Sequence, residues 1–304
     1  MRIGIDIGGT KTEAVALGPA GDVIAQTRLD TARGPAGVIG TAMEALRRLG
    51  EVGNDLSTAD SIGVGIPGLV DGEHGFVEYA FNLGLERLDL AAELGDRTGV
   101  PVRVENDVKA AALGATHLLG IGGSMAFLNL GTGLSAGLVT DGAIVRGAQG
   151  IAGEIGHVSV DPAGIECPCG QRGCLETVAS GSGIARQWPS QDPLPAAELF
   201  RAADAGDPLA SQVRDRLVHG TAQAVRLLVL TVDPGTVVVG GGLRHLGDPL
   251  FDRVRAEFAD LGERSAFFAS LGLAERLRIL PDGQPAAAVG TALIGQAPAA
   301  SPTP

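Results

Sequence analysis

The chain has 304 residues, 45% of them hydrophobic and 19% charged, which excludes a disordered chain and leaves room for two domains. Its 23 Lys and Arg stand against 35 Asp and Glu, a formal net charge of -12, and aromatics make up only 3%, so a nucleic-acid partner is not expected. The 47 glycines and 17 prolines follow no Gly-x-y period, which excludes collagen and points to many tight loops.

The start, Met1-Arg2-Ile3-Gly4, lacks the charged head and long apolar stretch of a signal peptide, so a cytoplasmic location is expected. Arg2 to Ile7 reads as a strand, followed by the turn Gly8-Gly9-Thr10, a strand from Glu13 to Leu17, a turn at Pro19 to Asp22 and a third strand from Val23 to Arg28. From Ala36 to Leu49, apolar Val38, Ile39, Ala42, Met43, Leu46 and Leu49 recur at helical spacing. A strand at Ser61 to Ile66, a helix at Leu88 to Arg97, a strand at Val100 to Val104 and an Ala-rich helix at Val108 to Leu118 follow. Ala110 to Thr140 contains no Asp, Glu, Lys or Arg, yet its many glycines break any continuous apolar 20-mer, so buried strands and turns are expected there rather than a membrane span.

The pattern then restarts. Met125 to Asn129 and Ser135 to Thr140 flank Gly131-Thr132-Gly133 much as the first two strands flank Gly8-Gly9-Thr10, which suggests internal duplication. His219 to Val232 reads as a long helix, stopped by Asp233-Pro234-Gly235. Thr236 to Val239 reads as a buried strand running into Gly240-Gly241-Gly242. Strands and helices alternate, so the fold class is α/β, and ligands gather at the carboxyl ends of strands in such sheets. The tail, Ala297 to Pro304, is expected to fray.

Four constellations could carry chemistry. In Asp6-Ile7-Gly8-Gly9-Thr10-Lys11, glycine N–H groups can approach a phosphate, Thr10 adds a hydroxyl, Lys11 a charge, and Asp6 a ligand for hydrated Mg²⁺; the plain alternative is a hairpin turn. An Asp inside an apolar strand needs a reason, since a buried carboxylate is costly unless paired or metal-linked. In Glu105-Asn106-Asp107, Asp107 could accept a hydroxyl proton while Asn106 hydrogen-bonds a neighbouring one, and both residue types also favour a helix N-cap. His157, Cys167, Cys169 and Cys174 form a Cys3His set, with all three cysteines inside eight residues, and four protein ligands describe a closed, structural Zn²⁺ site. A disulfide or free thiols are the alternatives. Glu154 and Glu176 flank that loop and suit sugar hydroxyls, although surface charge would read the same way.

Together Asp6-Ile7-Gly8-Gly9-Thr10-Lys11, Asn106-Asp107, Gly131-Thr132-Gly133, Glu154-Ile155-Gly156-His157, the segment from Cys167 to Glu176, and Gly240-Gly241-Gly242 resemble the ROK family of sugar kinases and repressors in the actin-like ATPase superfamily, most closely its bacterial glucokinases. The resemblance implies two ribonuclease-H-like lobes with an interdomain cleft. One comprises 1–107 plus about 285–298, with the last helix near Ala286 to Gln296 returning to it; the other comprises 108–284 with the zinc loop, and 299–304 is a flexible tail. It also implies ATP-dependent phosphorylation of a hexose 6-hydroxyl, glucose first, with Asp107 as base. The sugar contacts implied are Gly65, Asn82, Asn106, Glu154, His157 and Glu176. ATP and Mg²⁺ are expected at Asp6, Gly8, Gly9, Thr10, Lys11, Gly131, Thr132 and Gly133, with Gly240, Gly241 and Gly242 by the adenosine. Homodimers or higher homo-oligomers are implied as well. Ser135, Leu85 and Lys109 depart from residues frequent in the family at those positions. Alternatives are a kinase for fructose, mannose or an N-acetylhexosamine, polyphosphate as donor, a sugar-responsive regulator, and a non-kinase actin-like ATPase.

Overall fold

A computed structural model of the chain describes residues 1–51, 58–192 and 195–295, so the expected tail lies outside the described residues. The apolar runs and glycine turns at the start of the chain form an antiparallel meander of β1 (Arg2–Ile7), β2 (Lys11–Leu17) and β3 (Val23–Asp30). Helix α1 (Gly34–Glu51) buries Val38, Ile39, Ala42, Ala45, Leu46 and Leu49, the stripe that its 3.6-residue period predicts. The strand β4 (Ser61–Ile66) is buried along its whole length, as suits a strand covered on both faces. Next come β5 (Leu69–Asp71), β6 (Phe76–Glu78), β7 (Arg87–Asp89) and α2 (Leu90–Thr98), then β8 (Val102–Asn106) and α3 (Asp107–Leu118). The first sheet runs β3-β2-β1-β4-β8, with β4 parallel to both β1 and β8.

A second sheet repeats this plan. Its strands are β9 (Ser124–Leu130), β10 (Leu134–Thr140), β11 (Ala143–Ile144), β12 (Thr236–Gly240) and β13 (Leu277–Ile279), in the order β11-β10-β9-β12-β13. Here β12 is parallel to β9 and β13, as β4 is parallel to β1 and β8. The helices are α4 (Gly181–Gln187), α5 (Pro195–Asp204), α6 (Pro208–Val232), α7 (Asp248–Arg264), α8 (Ala266–Ser270), α9 (Leu273–Arg276) and α10 (Ala286–Ile294). Among the described residues no helix is long and apolar enough to cross a membrane.

Several elements differ from the sequence reading. The small sheet β5-β6-β7 was not expected, because three-residue strands carry too little alternation to register. It takes up Leu88, where a helix start was expected. Helix α6 begins eleven positions before His219, at Pro208, where Asp207 caps it by accepting from Ala210 N at 2.8 Å. It ends at Asp233, which stands at φ 49°.

The chain divides into two compact units: Met1–Gly122, Gly137–Ala152 and the residues from Asp282 in one, Gly123–Ala136 and Gly153–Pro281 in the other. The first unit therefore runs past the boundary expected after Asp107, and it takes Gly137–Ala152 as well. Close backbone packing explains why α3 goes with the first unit. A methyl added at Gly290 of α10 would lie 1.8 Å from Ala110 O, and one at Gly114 of α3 would lie 1.8 Å from Ala286 O. On the sheet side, a methyl at Gly4 or Gly63 would fall 1.9 Å from Ala288 O or 1.8 Å from Thr291 O.

Gly290→Val should lower stability by about 3 kcal/mol or more, the upper range for overpacking, seen as a lower urea midpoint. Gly40, on α1 with open space around its Cα, is the control. Gly40→Ala should raise stability by roughly 0.5–1 kcal/mol in the same measurement.

Candidate functional site

In the first unit, the parallel strands β1, β4 and β8 carry Asp6, Gly65 and Glu105 side by side in register. Gly65 leaves the space the neighbouring acids use: a methyl there would lie 2.8 Å from Thr291 Cγ2, 3.5 Å from Asp107 Cα and 3.6 Å from Asp6 Oδ1. Asp6 Oδ1 is buried and has no hydrogen-bond partner. Burial pushes the Asp6 carboxyl well above its ordinary range, and the neighbouring carboxylates of Asp107 and then Glu13 push it further. Two acids beside one another, one with a buried oxygen lacking a partner, suit a cation, and such an oxygen is a hard donor of the kind Mg²⁺ takes.

Asp107 is the first residue of α3, where the helix dipole favours its charge, and its Oδ1 accepts from Val108 N at 2.9 Å. Asn106 caps the same helix through Oδ1, accepting from Val108 N at 3.1 Å and Lys109 N at 3.2 Å. Capping takes up the amide oxygen and leaves the amide nitrogen as donor. The side chain of Lys109 is buried, on the turn of α3 that packs on Gly137.

The first glycine loop is a tight turn closed by Gly8 N donating to Lys11 O at 2.9 Å. Asn82 rests on it, its Nδ2 lying 3.0 Å from where a Gly9 methyl would be. Lys11 forms an exposed ion pair with Asp30, its register partner on β3. That salt bridge holds the Asp30 carboxyl below its usual range. Leu85 is buried in the core of this unit.

In the second unit, the loop Gly131–Gly133 is strapped by its backbone. Gly181 N donates to Gly131 O at 2.8 Å, Ser182 N to Thr132 O at 3.0 Å, and Glu176 Oε2 accepts from Leu134 N at 3.1 Å. A methyl at Gly133 would lie 2.6 Å from that same Oε2. The third glycine loop lies against the second: a methyl at Gly241 would fall 2.4 Å from the Leu130 carbonyl carbon and 2.7 Å from Asn129 Oδ1. Gly240 is small because Phe127 fills the space beside it, and Gly241 adopts φ 80°. Gly242 meets nothing within 4 Å, so the loop's open edge is there. Asn129, between the two loops, is a residue that sequence reasoning missed; an amide inside an apolar strand was the available signal.

Glu154 is exposed and opens the short helical turn Ile155–His157. Gly156 presses this turn onto β10, where a methyl would lie 2.0 Å from Leu134 O and 3.5 Å from Glu176 Cβ. His157, Cys167, Cys169 and Cys174 bring one ligand atom each to within 4.8 Å of one another. Cys167 Sγ is 3.9 Å from His157 Nδ1, and Cys169 Sγ is 3.6 Å from Cys174 Sγ. Tetrahedral Zn²⁺ with Zn–S near 2.3 Å sets sulfurs roughly 3.8 Å apart, so the donor set fits. The loop's geometry is built in: Gly173, at φ 69°, would put a methyl 1.6 Å from Asp161 O. Hydrogen bonds from the backbone and side chain of Gln171 lower the Cys169 thiol to about 6, while burial and then its bonds to Cys169 and Cys167 push Cys174 up to about 12. Three crowded sulfurs cannot all ionise without a cation between them.

The chain is similar to known proteins over most of its length. The model of the ROK family matches residues 2–295. A glucokinase of Halalkalibacterium halodurans is 35% identical over 280 residues, 84% of each chain. An N-acetylmannosamine kinase of Yersinia pseudotuberculosis is 32% identical over 246 residues, 79% of this chain and 82% of the relative. The crystal structure of a ROK family glucokinase from Streptomyces griseus in complex with glucose and AMPPNP covers 97% of this chain and 98% of its own, at 28% identity and a TM-score of 0.76. The α/β fold is thus that of the actin-like ATPases.

The raised carboxyl of Asp6 makes a signed prediction. A carboxyl whose folded value lies above its ordinary 3.8 costs stability once the pH rises through that folded value, and costs nothing below 3.8. In metal-free protein, Asp6→Asn should therefore be more stable than the parent at pH 8 and equal to it at pH 3.5, by denaturant titration at both values.

Proposed function

Because the chain belongs to the ROK family, we propose that it is a cytoplasmic sugar kinase that moves the γ-phosphoryl group of ATP to the 6-hydroxyl of a hexose, with glucose as acceptor. The observation that carries this reading is the carboxylate pair around Gly65: Asp6 with a buried, unpartnered oxygen, and Asp107 at the start of α3.

Asp107 accepts the proton of the 6-hydroxyl as that oxygen forms its bond to the γ-phosphorus. The bond from phosphorus to the β–γ bridging oxygen breaks, ADP leaves, and the proton stays on the Asp107 carboxyl until solvent takes it. The amide nitrogen of Asn106 donates to an adjacent hydroxyl and orients the ring. Glu154, Glu176 and the free ring nitrogen of His157 supply acceptors and a donor or acceptor for the remaining hydroxyls. N–H groups of Gly8–Thr10 and Gly131–Gly133 receive phosphate oxygens, and the open edge at Gly242 takes the nucleoside. Asp6 would hold Mg²⁺, which when bound neutralises charge on the phosphates. Positioning and electrostatics supply most of the rate in such a transfer.

His157, Cys167, Cys169 and Cys174 would hold a structural Zn²⁺, with Nδ1 of the histidine on the cysteine side. Its value to the reaction is mechanical: the same loop carries Glu176, whose carboxylate braces the second glycine loop at Leu134 N. The 32% identity to an N-acetylmannosamine kinase favours a second acceptor reading, an N-acetylhexosamine.

A coupled assay across glucose, mannose, fructose and N-acetylmannosamine, with ATP and polyphosphate as donors, should give the highest kcat/KM with glucose and ATP. Asp107→Ala should lower turnover by about 10²-fold or more, the scale of general-base catalysis, with nucleotide affinity unchanged by calorimetry. Near-normal turnover in that variant would overturn the assignment. Elemental analysis should find one zinc per chain. Cys174→Ala should lower both the zinc content and the thermal midpoint. A purified protein free of zinc yet melting at the same temperature as one refolded with it would remove the metal from this account.

A further inference from the structure

Glu105 is the buried carboxylate that the phosphoryl-transfer account leaves without a task. It ends β8, immediately before the sugar-orienting Asn106 and the base Asp107, and it is only 4% exposed. Its two oxygens are both engaged: Oε1 accepts from Asn106 N at 3.0 Å, and Oε2 accepts from Arg146 Nε at 2.7 Å. Arg146 lies 41 residues away, just after β11, and its own carbonyl accepts from Ala152 N at 3.0 Å. That bond closes residues 146–152 into a loop, tightened by Gly147 at φ 75°, where a methyl would meet Ala152 Cβ at 3.3 Å. The chain leaves this loop directly into Gly153 and Glu154, and Ala136 N of β10 donates to Gly153 O at 2.7 Å.

We propose that the Glu105–Arg146 ion pair is a positioning device for the sugar acceptor: it fixes the Asn106 peptide at one end and, through the closed loop 146–152, the approach to Glu154 at the other. The inference rests on the kinase reading and deepens it by naming residues that set acceptor affinity without touching the acceptor. A purely structural role is a poor fit, because the Arg146 side chain is 46% exposed while Glu105 is buried. A half-exposed arginine by itself adds little to folding, whereas a buried carboxylate that loses this cation must be rehydrated or reoriented. Reorientation would move the Asn106 N–H that Glu105 Oε1 holds. The hydrogen bonds of Glu105 run to Asn106 and Arg146 and not to the glycine loops, so the effect is expected on the acceptor.

The test uses Arg146→Gln, Arg146→Lys, Glu105→Gln and the double variant in the full-length protein. Arg146→Gln and Glu105→Gln should each raise KM for the hexose by about tenfold, the scale of one hydrogen bond to a charged group, with KM for ATP unchanged. Arg146→Lys, which keeps the charge and loses the planar donor, should fall between. The double variant should be no worse than the poorer single one, since both remove the same contact. Equal rises in the two KM values, or additive losses in the double variant, would overturn the proposal. Hydrogen exchange without substrate separates its failure from that of the kinase reading. Arg146→Gln should speed exchange at 146–154 and 104–109 alone, and unchanged exchange there would sink the positioning role whatever the enzyme's substrate.

Discussion

The site in the first unit depends on contact between bare backbones. Gly4 and Gly63 on two adjacent strands, and Gly114 and Gly290 on two helices, each stand where a single methyl would fall less than 2 Å from a carbonyl oxygen. With no side chains to hold them off, α10 lies directly on β1, β4 and α3. Thr291 then reaches the floor beside Gly65, and the ends of β1 and α3 are drawn to the same corner. Asp6 and Asp107 repel one another there because this packing, made from apolar and glycine contacts, overrides the repulsion. Stability gained along the helix thus supports an unfavourable arrangement of charge at its edge, a frequent division between scaffold and site.

Two acids from the strands on either side of β4 meet opposite fates in this unit. Asp6 has an oxygen with no partner and is pushed toward its neutral form, whereas Glu105 has a partner on each oxygen and a guanidinium at 2.7 Å. The difference separates a group with an unmet oxygen from a group that has found its counter-charge within the chain. Burial alone does not distinguish them; the list of hydrogen-bond partners does.

Much of this was legible in the amino-acid order because it is local. The strands Arg2–Ile7 and Ser61–Ile66 run between the residues that alternation and turn chemistry assign to them. The Cys3His set is legible because its ligands sit on one short, glycine-turned loop. What was not legible depends on partners distant in sequence. Strand register delivers Asp30 to Lys11 from 19 residues away. Glu105 looked like a neighbour of the motif, and only the fold shows that Arg146 completes it. The strands of the small sheet escaped because their stability comes from pairing and not from any pattern of their own.

The duplication seen in the glycine loops reaches into the chemistry. In β1 the order Asp6-Ile7 precedes Gly8, and in β9 the order Asn129-Leu130 precedes Gly131. Asp6 stands in register with Gly65 on its parallel neighbour β4, and Asn129 stands in register with Gly240 on its parallel neighbour β12. Each sheet therefore places one polar side chain beside a glycine at the carboxyl end of its central strands. In the first the side chain is an acid with an orphaned oxygen beside another acid. In the second it is an amide wedged between two glycine loops, with Oδ1 2.7 Å from a Gly241 methyl position and Nδ2 3.2 Å from a Gly131 one. An amide offers a donor and an acceptor at once and carries no charge, whereas an ionised carboxylate offers acceptors only and a negative charge. The same position of the repeated plan thus carries an acid with an orphaned oxygen in one half and an amide packed between two glycine loops in the other.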